Sequence, residues 1–195
     1  MADSDYRIFA LVLAAGRGRR FGATKQLVEI DGQTLVARAA RLARRVCSDR
    51  SVLVAGHDWQ AVTGAAGDAC QFLVVNETHE RGLGTSIAAG VRAVRHAADA
   101  ILLLLADQPL VTGEHLEALC ACWSGNPREI VASNYAGTRG PPVILPRDTF
   151  DDLVRLDGDR GANRLLEDRR FVVETVPFEP AAVDVDTPAD LESLR

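Results

Sequence analysis

The chain has 195 residues, of which 47% are hydrophobic and 25% charged, and its formal net charge is -5 at pH 7. This length and composition are typical of one globular domain, residues 1–195, whose core needs no disulfide or metal to stabilise it. The negative charge argues against nucleic-acid and anionic-membrane partners. Since the sequence has neither an apolar run of membrane length nor a signal-peptide pattern, we expect a cytoplasmic protein.

The first strong pattern is an apolar run at residues 8–13, which predicts a buried strand. It leads into a glycine-rich loop, residues 14–25, that carries Arg19, Arg20 and Lys25. Small residues let backbone N–H groups approach an anion, and basic side chains and the N-terminus of a following helix neutralise it. The loop therefore predicts a phosphate site, with a glycine-rich turn and solvated arginines as the alternative.

Two well-known phosphate loops do not fit this stretch. In the P-loop pattern a lysine directly follows the last glycine, whereas Lys25 lies beyond Ala23 and Thr24. In the dinucleotide pattern that starts at Gly16, the third glycine comes one position late, at Gly22, and no acidic residue follows at the expected distance. The dinucleotide match is therefore weak.

The next segments alternate between helical and strand patterns. We predict helices at 34–47 and 59–69 and strands at 51–55 and 71–75. Arg38, Arg41 and Arg45 share one face of the first helix, which is either solvated or recruits a charged partner. The four cysteines and four histidines lack metal-ligand spacing. We expect reduced thiols and surface or helix-capping histidines.

A second loop, residues 76–83, leads through Gly82, Gly84 and the hydroxyl residues Thr85 and Ser86 into a helix that runs to about residue 96. The hydroxyls could cap this helix or face a ligand. The five aliphatic residues 101–105 then predict a central parallel strand.

Asp107 directly follows that central strand, at the strand end where open α/β sheets bind ligands. Beside a phosphate site, a carboxylate is explained by a bridging Mg²⁺, which takes carboxylate and phosphate oxygens together. The alternative is a turn or N-cap aspartate before Pro109.

The second half is predicted to contain a helix at 112–123, strands at 130–135 and 143–145, and two short helices within 147–168. Glycine and proline pairs at 137–142 indicate a loop that breaks the alternation. The charged loop 157–162 would form the wall facing a second substrate, or Asp159 simply caps a helix. Residues 183–186 are typical of a strand end, and Asp186 is either the N-cap of a terminal helix or a second metal ligand beside Asp107.

Together these motifs resemble the nucleotidyltransferases with a Rossmann-like fold, and within them the molybdenum cofactor cytidylyltransferases. The motifs that carry the resemblance are Leu13, Ala14, Ala15 and Gly16 with Arg20, Gly22 and Lys25; Gly82 with Ser86; Asp107, Gln108 and Pro109; Gly140 with Pro142; Gly158, Asp159, Gly161 and Ala162; and Asp184, Asp186, Thr187 and Pro188. The resemblance implies an α/β fold with a mostly parallel central sheet and helices on both faces. Residues 1–110 would then form the nucleotide-binding half and residues 111–195 the acceptor-binding half.

The resemblance also implies roles for individual residues. Lys25, Arg20 and Asp107 would be catalytic, and Asp107 and Asp186 would hold Mg²⁺. The nucleotide would be bound by Leu13, Ala14, Ala15, Gly16, Arg17, Gly18, Lys25, Gly82 and Ser86, and the acceptor by Gly140, Asp159, Arg160 and Gly161. Two positions depart from the family pattern. Gly18 stands where serine is frequent, and Asn163 stands where arginine is usual. Arg160 or Arg164 would substitute for that missing arginine.

Ala15 favours CTP over GTP within this family. The implied reaction is attack of the terminal phosphate of molybdopterin, or of the molybdenum cofactor, on the α-phosphorus of CTP with release of pyrophosphate. A molybdoenzyme or its insertion chaperone would receive the product. The alternatives are a GTP- or UTP-dependent transferase acting on another phosphate ester, an NAD(P)-dependent oxidoreductase, and a chaperone that binds the cofactor without chemistry.

Overall fold

The computed structural model describes residues 6–16, 18 and 21–194. The strands are β1 (Ile8–Ala14), β2 (Glu29–Ile30), β3 (Gln33–Thr34), β4 (Ser51–Ala55), β5 (Phe72–Val75), β6 (Ala100–Leu105), β7 (Glu129–Tyr135), β8 (Thr138–Pro146) and β9 (Val172–Pro177). The α-helices are α1 (Leu35–Cys47), α2 (Trp59–Ala66), α3 (Leu83–Val94), α4 (Gly113–Cys122), α5 (Phe150–Leu153) and α6 (Pro188–Glu192). No helix among these residues is long and apolar enough to cross a membrane.

Seven of the strands form one sheet in the order β5-β4-β1-β6-β8-β7-β9. Only β8 runs against its neighbours β6 and β7, and the other neighbouring strands pair in parallel. Helices cover both faces, so the expected α/β fold with a mostly parallel sheet is confirmed.

The apolar runs of β1 and β6 lie at the centre because both of their faces are covered. Val12 and Leu104 belong to the cluster that packs against α1 and α4, whereas Leu11 and Leu103 belong to the cluster under α3. Successive residues of a strand point to opposite faces, so a continuous aliphatic run suits this position. These two strands bring their carboxyl ends, and the loops that follow, to the same edge of the sheet.

Three local expectations are wrong, and one strand was not predicted. Residues 137–142 are not a loop but lie mostly in β8, which pairs with β7 through a register shift at Ala132. Strand β9 was not predicted, because on this sheet edge most of its residues are exposed and no strong pattern marks it. A short 3-10 helix (Lys25–Leu27) and the β2–β3 hairpin, rather than an α-helix, follow the first loop. Residues 183–186 form no strand.

His115 is also not a surface or capping residue, because it is only 5% exposed. Its ring stacks on Phe178 with centroids 4.0 Å apart. The Ser133 hydroxyl donates to Pro142 O at 2.7 Å, so the His115 Nε2–H donates to Ser133 Oγ at 2.7 Å. His115 is therefore fixed between α4, β7 and β8. Burial lowers the pKa of His115 to about 4.

This lowered pKa predicts an acid-sensitive contribution to stability. In the unfolded chain the pKa of histidine is about 6.5, so the contribution is complete above that pH and is lost as pH falls towards 4. The variant His115→Gln keeps an amide donor for Ser133 but cannot titrate. Between pH 7 and 4.5 we therefore expect its free energy of unfolding to fall by about 2 kcal/mol less than that of wild type. Urea unfolding at both pH values measures this, and equal losses in the two proteins would contradict it.

Candidate active site

A cleft with a volume of about 470 Å³ lies at the carboxyl end of the parallel strands. It is lined by residues of the first loop, of the second loop and of three distant acidic positions: Leu13, Ala15, Gly16, Gly18, Lys25, Gln26, His79, Glu80, Arg81, Gly82, Leu83, Ser86, Leu105, Asp107, Asp159 and Asp186. Ala14, by contrast, is a buried residue of β1 and does not line the cleft. Arg17 and Arg20, which the resemblance placed here, lie outside the described residues.

Lys25 lies between two carboxylates in this cleft. Its Nζ is 2.7 Å from Asp107 Oδ2 and 2.8 Å from Asp186 Oδ1, and only 10% of its side chain is exposed. Burial lowers the pKa of Lys25, but attraction to Asp107 and hydrogen bonds to both carboxylates outweigh it and raise the pKa above its ordinary value. Lys25 is therefore a permanent cation at the end of the sheet.

The two aspartates fit a divalent metal ion. Because both reach the same ammonium nitrogen, their oxygens are close enough together to share a cation. Asp107 Oδ1 is buried without a hydrogen-bond partner, which leaves an unsatisfied anionic acceptor. No three His, Cys, Asp or Glu side chains of the described chain enclose a metal site by themselves. Mg²⁺ needs no such cage, since it is usually bound by one or two carboxylates and substrate phosphates.

A third carboxylate, Asp184, lies near this pair. Burial raises its pKa to about 6, and the charges of Asp107 and Asp186 act in the same direction. Lys25 donates its hydrogen bond to Asp186 rather than to Asp184. The backbone N–H of Val185, between these two aspartates, donates to Asp107 O at 2.9 Å. This hydrogen bond fastens the C-terminal acidic residues to the end of β6.

The first loop is held by a residue that the sequence did not single out. Gln26 is 5% exposed, and its Nε2 donates to Gly16 O at 3.0 Å. Gly18 has φ +58°, and a Cβ there would lie 2.5 Å from Ala23 O. Only glycine fits this conformation without strain, which explains why serine is absent from the position.

The second loop depends on Asn76, another residue that the sequence pattern did not reveal. Asn76 is buried, and its Nδ2 donates to Thr85 Oγ1 at 2.9 Å and to Ser86 Oγ at 3.0 Å. The Thr85 hydroxyl donates to Gly82 O at 2.8 Å, and no side chain caps α3. The capping interpretation of Thr85 and Ser86 is therefore wrong, and Ser86 instead lines the cleft. An isolated polar residue after a strand gives no sequence signal for such a contact.

The residues expected to bind the acceptor are not all together. Asp159 lines the cleft, whereas Arg160 and Gly161 line a neighbouring cavity. Asp159 does not cap the following 3-10 helix, which has no side-chain cap. Gly140 lies in β8, where a Cβ would come 2.5 Å from the Tyr135 hydroxyl, and it lines neither cavity.

The fold and this cleft define a nucleotidyltransferase. Residues 10–174 match the family of the MobA-like NTP transferase domain, and the chain belongs to that family. It is 31% identical to purine catabolism protein PucB of Bacillus subtilis, over 96% of each chain. It is 30% identical to nicotine blue oxidoreductase of Paenarthrobacter nicotinovorans, again over 96% of each chain.

Two crystal structures of a Mycobacterium tuberculosis protein, Rv0371c, have the same fold. One has a TM-score of 0.83 and 31% identity, and the match covers 97% of each chain. The other, a complex with manganese, has a TM-score of 0.78 and 28% identity and covers 96% of this chain and 97% of that one.

The position of Lys25 leads to a prediction. In Lys25→Met the two carboxylates lose their shared counter-ion, so we expect the metal-free protein to lose about 1–3 kcal/mol of stability, less than for a fully buried pair because Asp186 is half exposed. Mg²⁺ or Mn²⁺ should then raise the melting temperature of Lys25→Met more than that of wild type. Thermal unfolding with and without each ion measures this. An equal shift in both proteins would contradict competition between Lys25 and the ion.

Proposed function

We propose that the protein transfers CMP from CTP to the terminal phosphate of molybdopterin or the molybdenum cofactor and releases pyrophosphate in a Mg²⁺-dependent reaction. The observation that carries the proposal is Lys25 between Asp107 and Asp186, with Asp107 Oδ1 unsatisfied, in a cleft lined by two glycine-containing loops. Membership of the MobA-like NTP transferase family supports a nucleoside triphosphate as the donor substrate. Within the family that the sequence resembles, Ala15 favours CTP.

Asp107 and Asp186 are the residues that would hold the metal ion, and the manganese complex of Rv0371c supports a divalent ion in this fold. The ion would neutralise charge on the triphosphate and the leaving pyrophosphate. Lys25 supplies a fixed positive charge for the same oxygens and already lies in the cleft. Ser86, held by Asn76, and the backbone of the first loop orient the nucleotide.

The nucleophile in this reaction needs no general base. A phosphate monoester is mostly dianionic at neutral pH and can attack the α-phosphorus directly. What the site must supply is alignment of two anions and stabilisation of the added charge. His79 lines the cleft, but the proposed chemistry gives it no proton to remove.

Replacement of the Asp107 carboxylate tests the metal role. Asp107→Asn keeps the size of the side chain and removes the charge, so we expect at least a 100-fold lower rate of pyrophosphate release with the fold retained. Circular dichroism and thermal unfolding check the fold. The matched control is Asp148→Asn, an aspartate that does not line the cleft. A variant at position 107 that keeps most of its activity would refute the role.

Nucleotide preference gives a second test. With Mg²⁺, we expect CTP to raise the melting temperature more than GTP, UTP or ATP, and pyrophosphate release to require both CTP and molybdopterin. Preference for GTP or UTP would favour a transferase acting on another phosphate ester. Nucleotide binding without pyrophosphate release in the presence of molybdopterin would favour the cofactor-binding chaperone.

A second candidate function is an NAD(P)-dependent oxidoreductase, since the full-length relative from Paenarthrobacter nicotinovorans bears the name nicotine blue oxidoreductase. The pair of carboxylates around Lys25 argues for the transferase, because a nicotinamide dinucleotide has no need of a metal-binding pair. Stabilisation by NADPH, with no effect of any triphosphate and Mg²⁺, would reverse this preference.

A further inference from the structure

Gln108 directly follows the proposed metal ligand Asp107, but it does not line the cleft. It is only 6% exposed, and its Nε2 donates to Ala181 O at 2.8 Å and to Pro141 O at 3.3 Å. Both partners are carbonyl oxygens, so the amide nitrogen rather than the amide oxygen must face them. One side chain therefore connects the end of β6 with β8 and with residues 179–194, which we call the C-terminal segment.

The backbone of Asp107 makes a second connection to the C-terminal segment. The Val185 N–H donates to Asp107 O at 2.9 Å, and the side chain of Val185 is fully buried in a cluster with Ile30 and Leu35. Asp186 is the next residue along the chain. Two neighbouring residues after β6 thus hold positions 181 and 185, immediately before the second carboxylate of the proposed metal pair.

Asp186 is also fixed from its other side, by the capping box of α6. Asp190 Oδ2 accepts hydrogen bonds from Asp186 N at 2.9 Å and from Thr187 N at 2.7 Å. These bonds join residues of the same segment, so they stiffen it without attaching it to the sheet. Lys25 does attach Asp186, but a divalent ion would take the place of the lysine between the carboxylates. The attachment to the end of β6 then depends on the two hydrogen bonds described above.

We propose that Gln108 is a positioning residue, whose amide holds the C-terminal segment so that Asp186 faces Asp107 at the separation that a divalent ion requires. The inference rests on the metal site of the proposed function. Mg²⁺ demands near-ideal octahedral geometry with oxygens at about 2.0–2.1 Å, so a small displacement of one carboxylate weakens binding. Residues that orient metal ligands typically contribute roughly 10- to 100-fold to metal affinity. This role accounts for a motif residue that lies outside the cleft.

The attachment is tested first, without metal or substrate. Gln108→Met keeps the length of the side chain but cannot donate to Ala181 O, so the C-terminal segment should open more often. We expect the Val185 amide to exchange its hydrogen at least 10-fold faster than in wild type, as measured by NMR. The matched control, Thr149→Val, removes a buried side-chain hydrogen bond to Pro146 O at the opposite end of β6 and should change this exchange less than twofold. Unchanged exchange in Gln108→Met, or equal acceleration in the control, overturns the attachment.

The effect on the metal site is tested with Mn²⁺ alone, by electron paramagnetic resonance of the free ion. Gln108→Met should bind Mn²⁺ at least 10-fold more weakly than wild type and Thr149→Val. Because both carboxylates remain, excess Mg²⁺ should restore pyrophosphate release by Gln108→Met to within threefold of wild type, whereas Asp107→Asn should not recover. Equal Mn²⁺ affinities of Gln108→Met and wild type overturn the positioning role.

The two measurements separate this inference from the proposed function. If wild type binds no Mn²⁺, the metal ion of the proposed function fails, and the positioning of Asp186 for that ion fails with it. The exchange of the Val185 amide still decides whether Gln108 holds the C-terminal segment. If wild type binds Mn²⁺ but releases no pyrophosphate with CTP and molybdopterin, the proposed reaction fails, whereas the Mn²⁺ affinities still decide the role of Gln108.

Discussion

The contact of Lys25 with Asp107 and Asp186 is the interaction on which the site depends. It joins three parts of the chain, since the lysine is 82 residues from one aspartate and 161 from the other. A lysine with 10% side-chain exposure would be costly to bury without partners, and two carboxylates at one point would repel each other without the lysine. Each charge therefore requires the other two, and the loops that carry them are held at one edge of the sheet.

In this arrangement one ammonium group lies between two carboxylates. In the proposed reaction a divalent ion would take the place of the lysine between the two carboxylates, and the lysine would then be available to phosphate oxygens. The triphosphate and the ion would then bind together, because Mg²⁺ takes carboxylate and phosphate oxygens at the same time. The orphaned Asp107 Oδ1 fits this view, since an oxygen without a hydrogen-bond partner is favourable only when a ligand satisfies it.

The strands and site residues that have a local sequence signal could be predicted. The apolar runs of β1 and β6 are continuous because both faces are buried, so Asp107 could be placed at the end of β6 and Lys25 in the loop that follows β1. The first half of β8, up to Pro142, and strand β9 could not be predicted, because glycines and prolines or an exposed edge obscure strands that long-range pairing stabilises. Gln26 and Asn76 were missed for a related reason: each is a single polar residue whose role depends on a partner brought close by folding.

The start of α3, which follows the second loop, and the loop at residues 157–162 approach each other so closely that only glycine fits between them. Gly84 N donates to Gly158 O at 2.9 Å. A Cβ on Gly82 would lie 2.4 Å from Asp159 Oδ1, and a Cβ on Gly84 would lie 2.7 Å from Arg160 O. A side chain at either position would push apart the wall that carries Asp159 and Arg160. Gly82 and Gly84 therefore allow the second loop and the loop at residues 157–162 to lie in contact, and in the proposed reaction this contact would set the distance between the nucleotide and its acceptor.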